Sequence, residues 1–438
     1  MWYYRWWTLR KHIELTPVGY AMTEFLVNRN YADKWKLISS AVGHHIHESR
    51  WLRDTTYLDQ IVDTWYHGND GKPMEKLLKY SSWIAHSLWE RYKVTGSKKW
   101  YFDMLPSLEW EYDQWETTHT RNGGFYWQED VRDAMEETIS GGRRKKYLRP
   151  SINAYMYGNA MAIGNFLALA DSADKAKTYF DKAADLRERV HEKLWNEQHQ
   201  FFETHRVDSS SNVREAIGFM PWYTHMAKDN PKYGAAWLQA ADPQGFSAPY
   251  ALTTAERRHP QFRTHGVGQC EWDGAVWPFA TSQTLTAMAN YLNDYSNPVI
   301  TDSLYFAEME KYVQSQHKRG KPYIGEYLDE TTGYWLKGDQ ERSRYYNHST
   351  FCDLMITGIC GLRPRADQTL EVRPLLPAGK WDYFCLDNVP YHGHNVTIVY
   401  DRYGTHYHAG KGLSVYVDGQ LVGQRAELGK LTIDNALQ

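Results

Sequence analysis

The chain has 438 residues, enough to bury a large core and to carry more than one structural unit. Its 50 basic and 53 acidic residues leave a net charge of −3, which removes any electrostatic case for nucleic acid or an anionic membrane as partner. No apolar run is long enough to span a bilayer. The four cysteines (Cys270, Cys352, Cys360, Cys385) form neither a CxxC pair nor a dense framework, so they fix no compartment.

In chain order, Met1-Trp2-Tyr3-Tyr4-Arg5-Trp6-Trp7 opens on an aromatic cluster without the apolar stretch of a secretory signal. It reads as the inside of a domain, so upstream sequence is expected. Residues 1–365 then read as helix after helix. Apolar positions from Leu77 to Trp89 recur at three and four, which predicts an amphipathic helix. The acidic stretch Gln128–Thr138 reads as the opening of a helix after a Gly-Gly aromatic loop. Residues 155–170 are apolar all round, as in a buried inner helix, whereas 174–194 carry a single apolar stripe, as an outer helix would. Residues 281–295 repeat the inner pattern and 302–317 the outer one. Alternating buried and amphipathic helices predict a mainly α fold, an (α/α)6 toroid with inner helices lining a funnel. Long polar loops at 120–128, 204–216 and 256–274 are of the kind that carries function. From about residue 366 the period changes to two, with Leu370–Pro374, Asn395–Tyr400 and Gly412–Gly419 ending in turn signals such as Asp-Gly. Residues 366–438 are therefore expected to form a small antiparallel, β-sandwich-like domain with a packing role. No fixed-length repeat marks a solenoid.

The chemistry concentrates in a few segments. Aromatics make up 15% of the chain, with 19 Trp and 33 Tyr; most belong to the core, but a handful suit stacking on a sugar ring. Trp272-Asp273-Gly274-Ala275-Val276-Trp277 supplies two indoles around a glycine. Glu326 lies in a turn-rich stretch with Tyr323, Tyr327, Tyr334 and Trp335, a setting unlike a solvated surface loop. Hydrolysis of an acetal needs one carboxyl to protonate the departing oxygen and a second to activate water or attack. Glu326 is the candidate for the second. For the first, Asp133 and Glu136 stand three apart, on one face of the expected helix; acids favoured at a helix start by the macrodipole are the alternative. Arg149, Asn153 and Tyr157 fall four apart at the start of the 150–170 helix and could hydrogen-bond hydroxyls. The run Gly43-His44-His45-Ile46-His47-Glu48 invites a metal, but adjacent histidines cannot both face one ion and HExxH spacing is absent; His44 and His45 are read as pocket hydrogen-bonding groups. Tyr346 and His348 precede an apolar stretch and could line a funnel mouth or cap a helix.

These segments resemble the six-hairpin glycosidases, the group of trehalase, processing α-glucosidase I and mannosylglycerate hydrolase. Trp272–Trp277 is similar to their Trp-Arg-Gly-Pro-x-Trp motif, with Asp273 where Arg is usual. Glu326-Tyr327…Thr332-Gly333 is similar to the setting of their basic Glu. Asp133-Ala134-Met135-Glu136-Glu137-Thr138 is nearest to the setting of their acid, which puts Glu136 in that role and keeps Asp133 as its rival. The resemblance covers most of residues 40–365. It implies an (α/α)6 barrel, hydrolysis without metal or other cofactor, an exo-acting enzyme, and inversion as the usual outcome. It also implies a carbohydrate substrate and an extracytoplasmic location, periplasmic or secreted, with a cytoplasmic one as the alternative; the oligomeric state is left open. Trp272, Asp273, Trp277, Tyr327, Trp335 and His348 join Arg149, Asn153, Tyr157, His44 and His45 as expected sugar contacts. Two other readings use the same fold. A polysaccharide lyase or sugar epimerase would rely on His44, His348 and Tyr346, though balanced charge argues against a uronate lyase. An inactive carbohydrate-binding protein is the third.

Overall fold

A computed structural model describes residues 1–121 and 123–437. Its main helices are α1 (Trp2–Lys11), α2 (Val42–Ser49), α3 (Thr56–His67), α4 (Ile84–Thr95), α5 (Lys99–His119), α6 (Pro150–Leu169), α7 (Ala173–Lys193), α8 (Pro278–Asp294) and α9 (Asp302–Ser315). Helices α6 and α8 each begin on a proline, whose fixed φ suits the first turn and whose missing N–H costs nothing there. Nearly every residue of α2, α6 and α8 is buried. By contrast α7 buries one stripe, Ala176, Tyr179, Ala183, Leu186 and Val190, and α5 another through Tyr101, Leu105, Leu108, Tyr112 and Trp115. Helix α6 packs against α4, α5 and α7, and α8 against α9, so fully buried helices are backed by amphipathic ones. Packing is tight: a Cβ on Gly43 of α2 would lie 2.1 Å from the Trp83 indole.

Two expected helices take other forms. The 77–89 stretch is a single 3-10 turn, Leu77–Lys79, followed by extended backbone, and α4 begins only at Ile84. The extended part is held from afar: Ser81 N donates to Arg132 O at 2.9 Å and Gln128 Nε2 to Ser81 Oγ at 3.0 Å. The acidic stretch 128–138 is a 3-10 turn at Asp130–Arg132 and then irregular turns, with Ala134 at φ 59°. Asp133 and Glu136 therefore share no helical face. The cause is buried charge: Arg149 gathers both Asp130 and Asp133, and Asp130 also accepts from Gly142 N and Arg143 N.

The C-terminal part is antiparallel sheet. Strands Tyr383–Tyr391, His394–Asp401, Gly412–Val417 and Gln420–Arg425 pair in that order. Asp418 and Gly419, both at positive φ, make the tight turn that joins the last two strands. A second sheet orders Leu362–Arg363, Leu370–Val372 and Leu431–Ile433, so strand pairing begins at Leu362, ahead of residue 366. This unit is bonded to the helices: His392 N donates to Val94 O at 2.7 Å, and Arg373 Nη1 to Leu292 O at 3.0 Å. Among the described residues, no helix is long and apolar enough to cross a membrane.

Candidate active site

Three glutamates reach one cavity of about 690 Å³ from distant loops. Glu24 follows the short hairpin Ile13–Thr16/Gly19–Met22, Glu136 sits in the irregular turns before α6, and Glu326 follows the hairpin His317–Lys318/Lys321–Pro322. Trp272 and Trp277, from the loop that leads into α8, and Phe279, in the first turn of α8, form an aromatic wall. Trp272 and Trp277 stack at 4.3 Å and 18°, and Tyr327 continues the stack behind Trp277 at 4.4 Å and 11°. The Trp277 indole is fixed by donating from Nε1 to Glu271 O at 3.0 Å. Such a wall offers a flat apolar face to the C–H side of a sugar ring.

The three carboxyls differ in their surroundings. Exclusion from water, with the charge of Glu326 as a further cause, pushes the Glu136 carboxyl up to about 7. Burial pushes Glu24 higher, to about 8, with Glu326 and Glu136 adding repulsion. Glu326 stands against two cations, Arg342 Nη2 at 3.1 Å and Lys337 Nζ at 3.4 Å, which offset its charge. Ser343 Oγ lies 3.4 Å from it. Lys337 also donates to Cys270 Sγ at 3.1 Å, and burial nevertheless raises that thiol to about 11, so it is no nucleophile at neutral pH. His348 completes the lining, with Nδ1 3.7 Å from Glu24 Oε1. Burial holds its imidazole down at about 3, hence neutral.

Of the residues singled out in the sequence, the cavity brings together Glu136, Glu326, Trp272, Trp277, Tyr346 and His348. The others lie outside its lining, each for a visible reason. Asp133 is fully enclosed, accepting from Arg149 Nε at 2.8 Å and from Ser151 Oγ, so it cannot meet a substrate. Arg149 is its partner and equally enclosed. Asn153 is consumed by backbone, donating to Tyr126 O and Arg149 O and accepting from Tyr126 N. Tyr157 points to His225 O at 3.5 Å. Asp273 is buried and accepts from His265 N and Nδ1, both at 2.9 Å, so it orders the 256–274 loop. Tyr327 backs the wall, whereas Trp335 packs against Tyr323 and its Nε1 donates to His317 O at 3.0 Å. His45 bonds Asn347 O at 2.7 Å, and His44 is wedged edge-on between Trp83 and Phe279. Among the described residues no group of three His, Cys, Asp or Glu is placed to hold a metal ion.

Sequence reasoning missed Glu24, Arg342 and Lys337. Glu24 stands alone in Thr23-Glu24-Phe25, without an acidic neighbour or helical spacing to mark it. Arg342 and Lys337 were within reach, since they follow Glu326 in the same polar loop.

Residues 34–349 match the mannosylglycerate hydrolase MGH1-like glycoside hydrolase domain, and residues 362–423 match the C-terminal domain of glycosyl hydrolase family 65. A solved structure described as a sialidase is similar over 100% of this chain at 62% identity and TM-score 0.99; the chain spans 40% of that protein's length. More distant likenesses, which speak for the fold alone, are the GH63 mannosylglycerate hydrolase of Thermus thermophilus and a GH78 rhamnosidase of a Bacillus species. The first shares 12% identity at TM-score 0.61, over 81% of this chain and 98% of its own. The second shares 11% at TM-score 0.62, over 87% and 37% respectively. The chain belongs to the MGH1-like glycoside hydrolases.

Proposed function

We propose that this chain is an exo-acting, inverting glycosidase that removes a terminal sugar from an oligo- or polysaccharide. Residues 1–365 act as an (α/α)6 catalytic toroid and residues 366–438 as an accessory β unit. The observation that carries the reading is one aromatic-walled cavity receiving Glu136 and Glu326 from opposite halves of the sequence, with Glu136 raised to about 7. A carboxyl with that value still holds a proton near neutrality and loses it readily, as a general acid must.

In this reading the terminal ring rests against Trp272, which Trp277 and Tyr327 back in a continuous stack. Glu136 gives its proton to the glycosidic oxygen as the C–O bond breaks. Glu326 takes a proton from a water that attacks the anomeric carbon from the opposite face, so the configuration inverts. Arg342 and Lys337 orient the Glu326 carboxylate, and neutral Glu24 donates to a sugar hydroxyl. The supporting test is direct: Glu136→Gln and Glu326→Gln are assayed on a panel of aryl glycosides and plant oligosaccharides, with the product anomer followed by NMR. Both variants should lose turnover while keeping the fold. Full activity in both, or an unsaturated product absorbing in the ultraviolet, would refute the hydrolytic pair.

A further inference from the structure

The cavity does not end at its carboxyls. Its outer wall carries Arg29, Lys79, Arg132 and Arg144, and none of these has a carboxylate within ion-pair distance among the described residues. Lys79 instead donates to Tyr31 O at 2.6 Å, and its ammonium is pushed down by burial and by Lys76 and Arg132 nearby. Positive charge thus predominates here, with Asp33 the acid that partly offsets it at Lys79, against a net charge for the chain that is slightly negative.

Lys79, Arg132 and Arg144 also line a second groove of about 400 Å³, so the two recesses share a cationic wall. In it Trp127 stacks on His119 at 4.5 Å, and Lys146 Nζ lies 4.1 Å over the Trp127 ring. Lys146 in turn borders a third recess of about 430 Å³, with Arg121, Arg189, Lys193 and Arg206. Glu129 and Glu192 are the acidic members of these two linings. The source of the track is local in sequence: Arg143-Arg144-Lys145-Lys146 is an exposed run that the buried Asp130 anchors through Gly142 N and Arg143 N.

We infer that the leaving side of the substrate is an anionic glycan, whose carboxylate or sulfate groups lie along the Lys79–Arg132–Arg144–Lys146 track while the terminal sugar enters the carboxyl-lined cavity. The inference rests on the glycosidase reading and adds the substrate class. An acidic aglycone meets cations along this track that have no carboxylate partner, Lys146 among them over the Trp127 ring. Sugar uronates and sulfate esters share this chemistry.

Binding, rather than turnover, tests the track independently of the acid and base. The chain is titrated with fluorescent polygalacturonate fragments, the same fragments after carboxyl reduction, a sulfated galactan, and a single-stranded oligonucleotide. Polygalacturonate or sulfated galactan should bind with an affinity that falls as salt rises, and carboxyl reduction should weaken it by about tenfold or more. Arg144→Glu/Lys146→Glu should abolish the preference, while Lys175→Glu/Lys177→Glu, an equal charge change on the outer face of α7, should retain it. Binding of only one anionic polymer names the group recognised. Equal binding of reduced fragments, equal binding of the oligonucleotide, or equal behaviour of the two double variants would overturn the inference. Polymer binding by an unmodified chain that hydrolyses none of the glycosides would count against the carboxyl pair alone.

Discussion

At the scale of single residues, the proposed mechanism rests on Glu136, raised by burial, and on Glu326, set against two cations. Glu326→Gln is expected to lower kcat by about 10³-fold, a typical loss for a positioned general base, with the melting temperature preserved. Glu136→Gln should lose as much on natural glycosides but far less on aryl glycosides whose phenolate leaves without a proton; the ratio of the two rates measures it. Since Glu136 must be protonated to act, kcat/KM should fall with rising pH on a limb near pH 7. Glu24 affects stability in the same direction. The folded protein binds its proton more tightly than the unfolded chain, so stability is lost as pH rises from about 4.5 through about 8. Glu24→Gln should therefore raise stability at pH 9, by roughly 1–3 kcal/mol in urea unfolding, and change little at pH 4. Glu326 was legible in the sequence because four rings flank it within a turn-rich loop. Glu24 was not, because nothing in Thr23-Glu24-Phe25 records that the chain will fold it against carboxyls more than a hundred residues away.

At the scale of elements, the buried and amphipathic helices were legible because an apolar periodicity is a local property. The misread segments, 77–83 and 128–138, answer instead to distant partners: Arg132 O takes the Ser81 N–H, and Arg149 draws in Asp130 and Asp133. The same knot explains why Asp133 looked catalytic and why Arg149 and Asn153 looked like sugar contacts. They are polar residues at helical spacing, but they satisfy one another in the interior and shape the turn that presents Glu136. Arg149→Met should cost about 3–5 kcal/mol, because it strands two buried carboxylates, and should mislocate Glu136. Urea unfolding and the activity of the residual folded fraction would report the two effects separately. Gly43→Ala should destabilise by about 1–3 kcal/mol or more, since the added methyl meets the Trp83 ring between α2 and α4.

At the scale of the whole molecule, the β unit lines no part of the cavity, yet it is tied to the helices through His392, Arg373 and Arg363, the last to Asp294 at 3.0 Å. A chain ending at residue 361 should therefore be poorly soluble rather than merely slower, which sedimentation of the expressed fragment would show. The cationic track has a consequence of its own at this scale. With one flank strongly positive and the total at −3, the remaining surface must hold an excess of negative charge, and the molecule is a large electric dipole. A polyanion approaching from behind is turned away and one approaching the mouth is drawn in, so ionic strength should slow encounter far more than it shortens the bound lifetime.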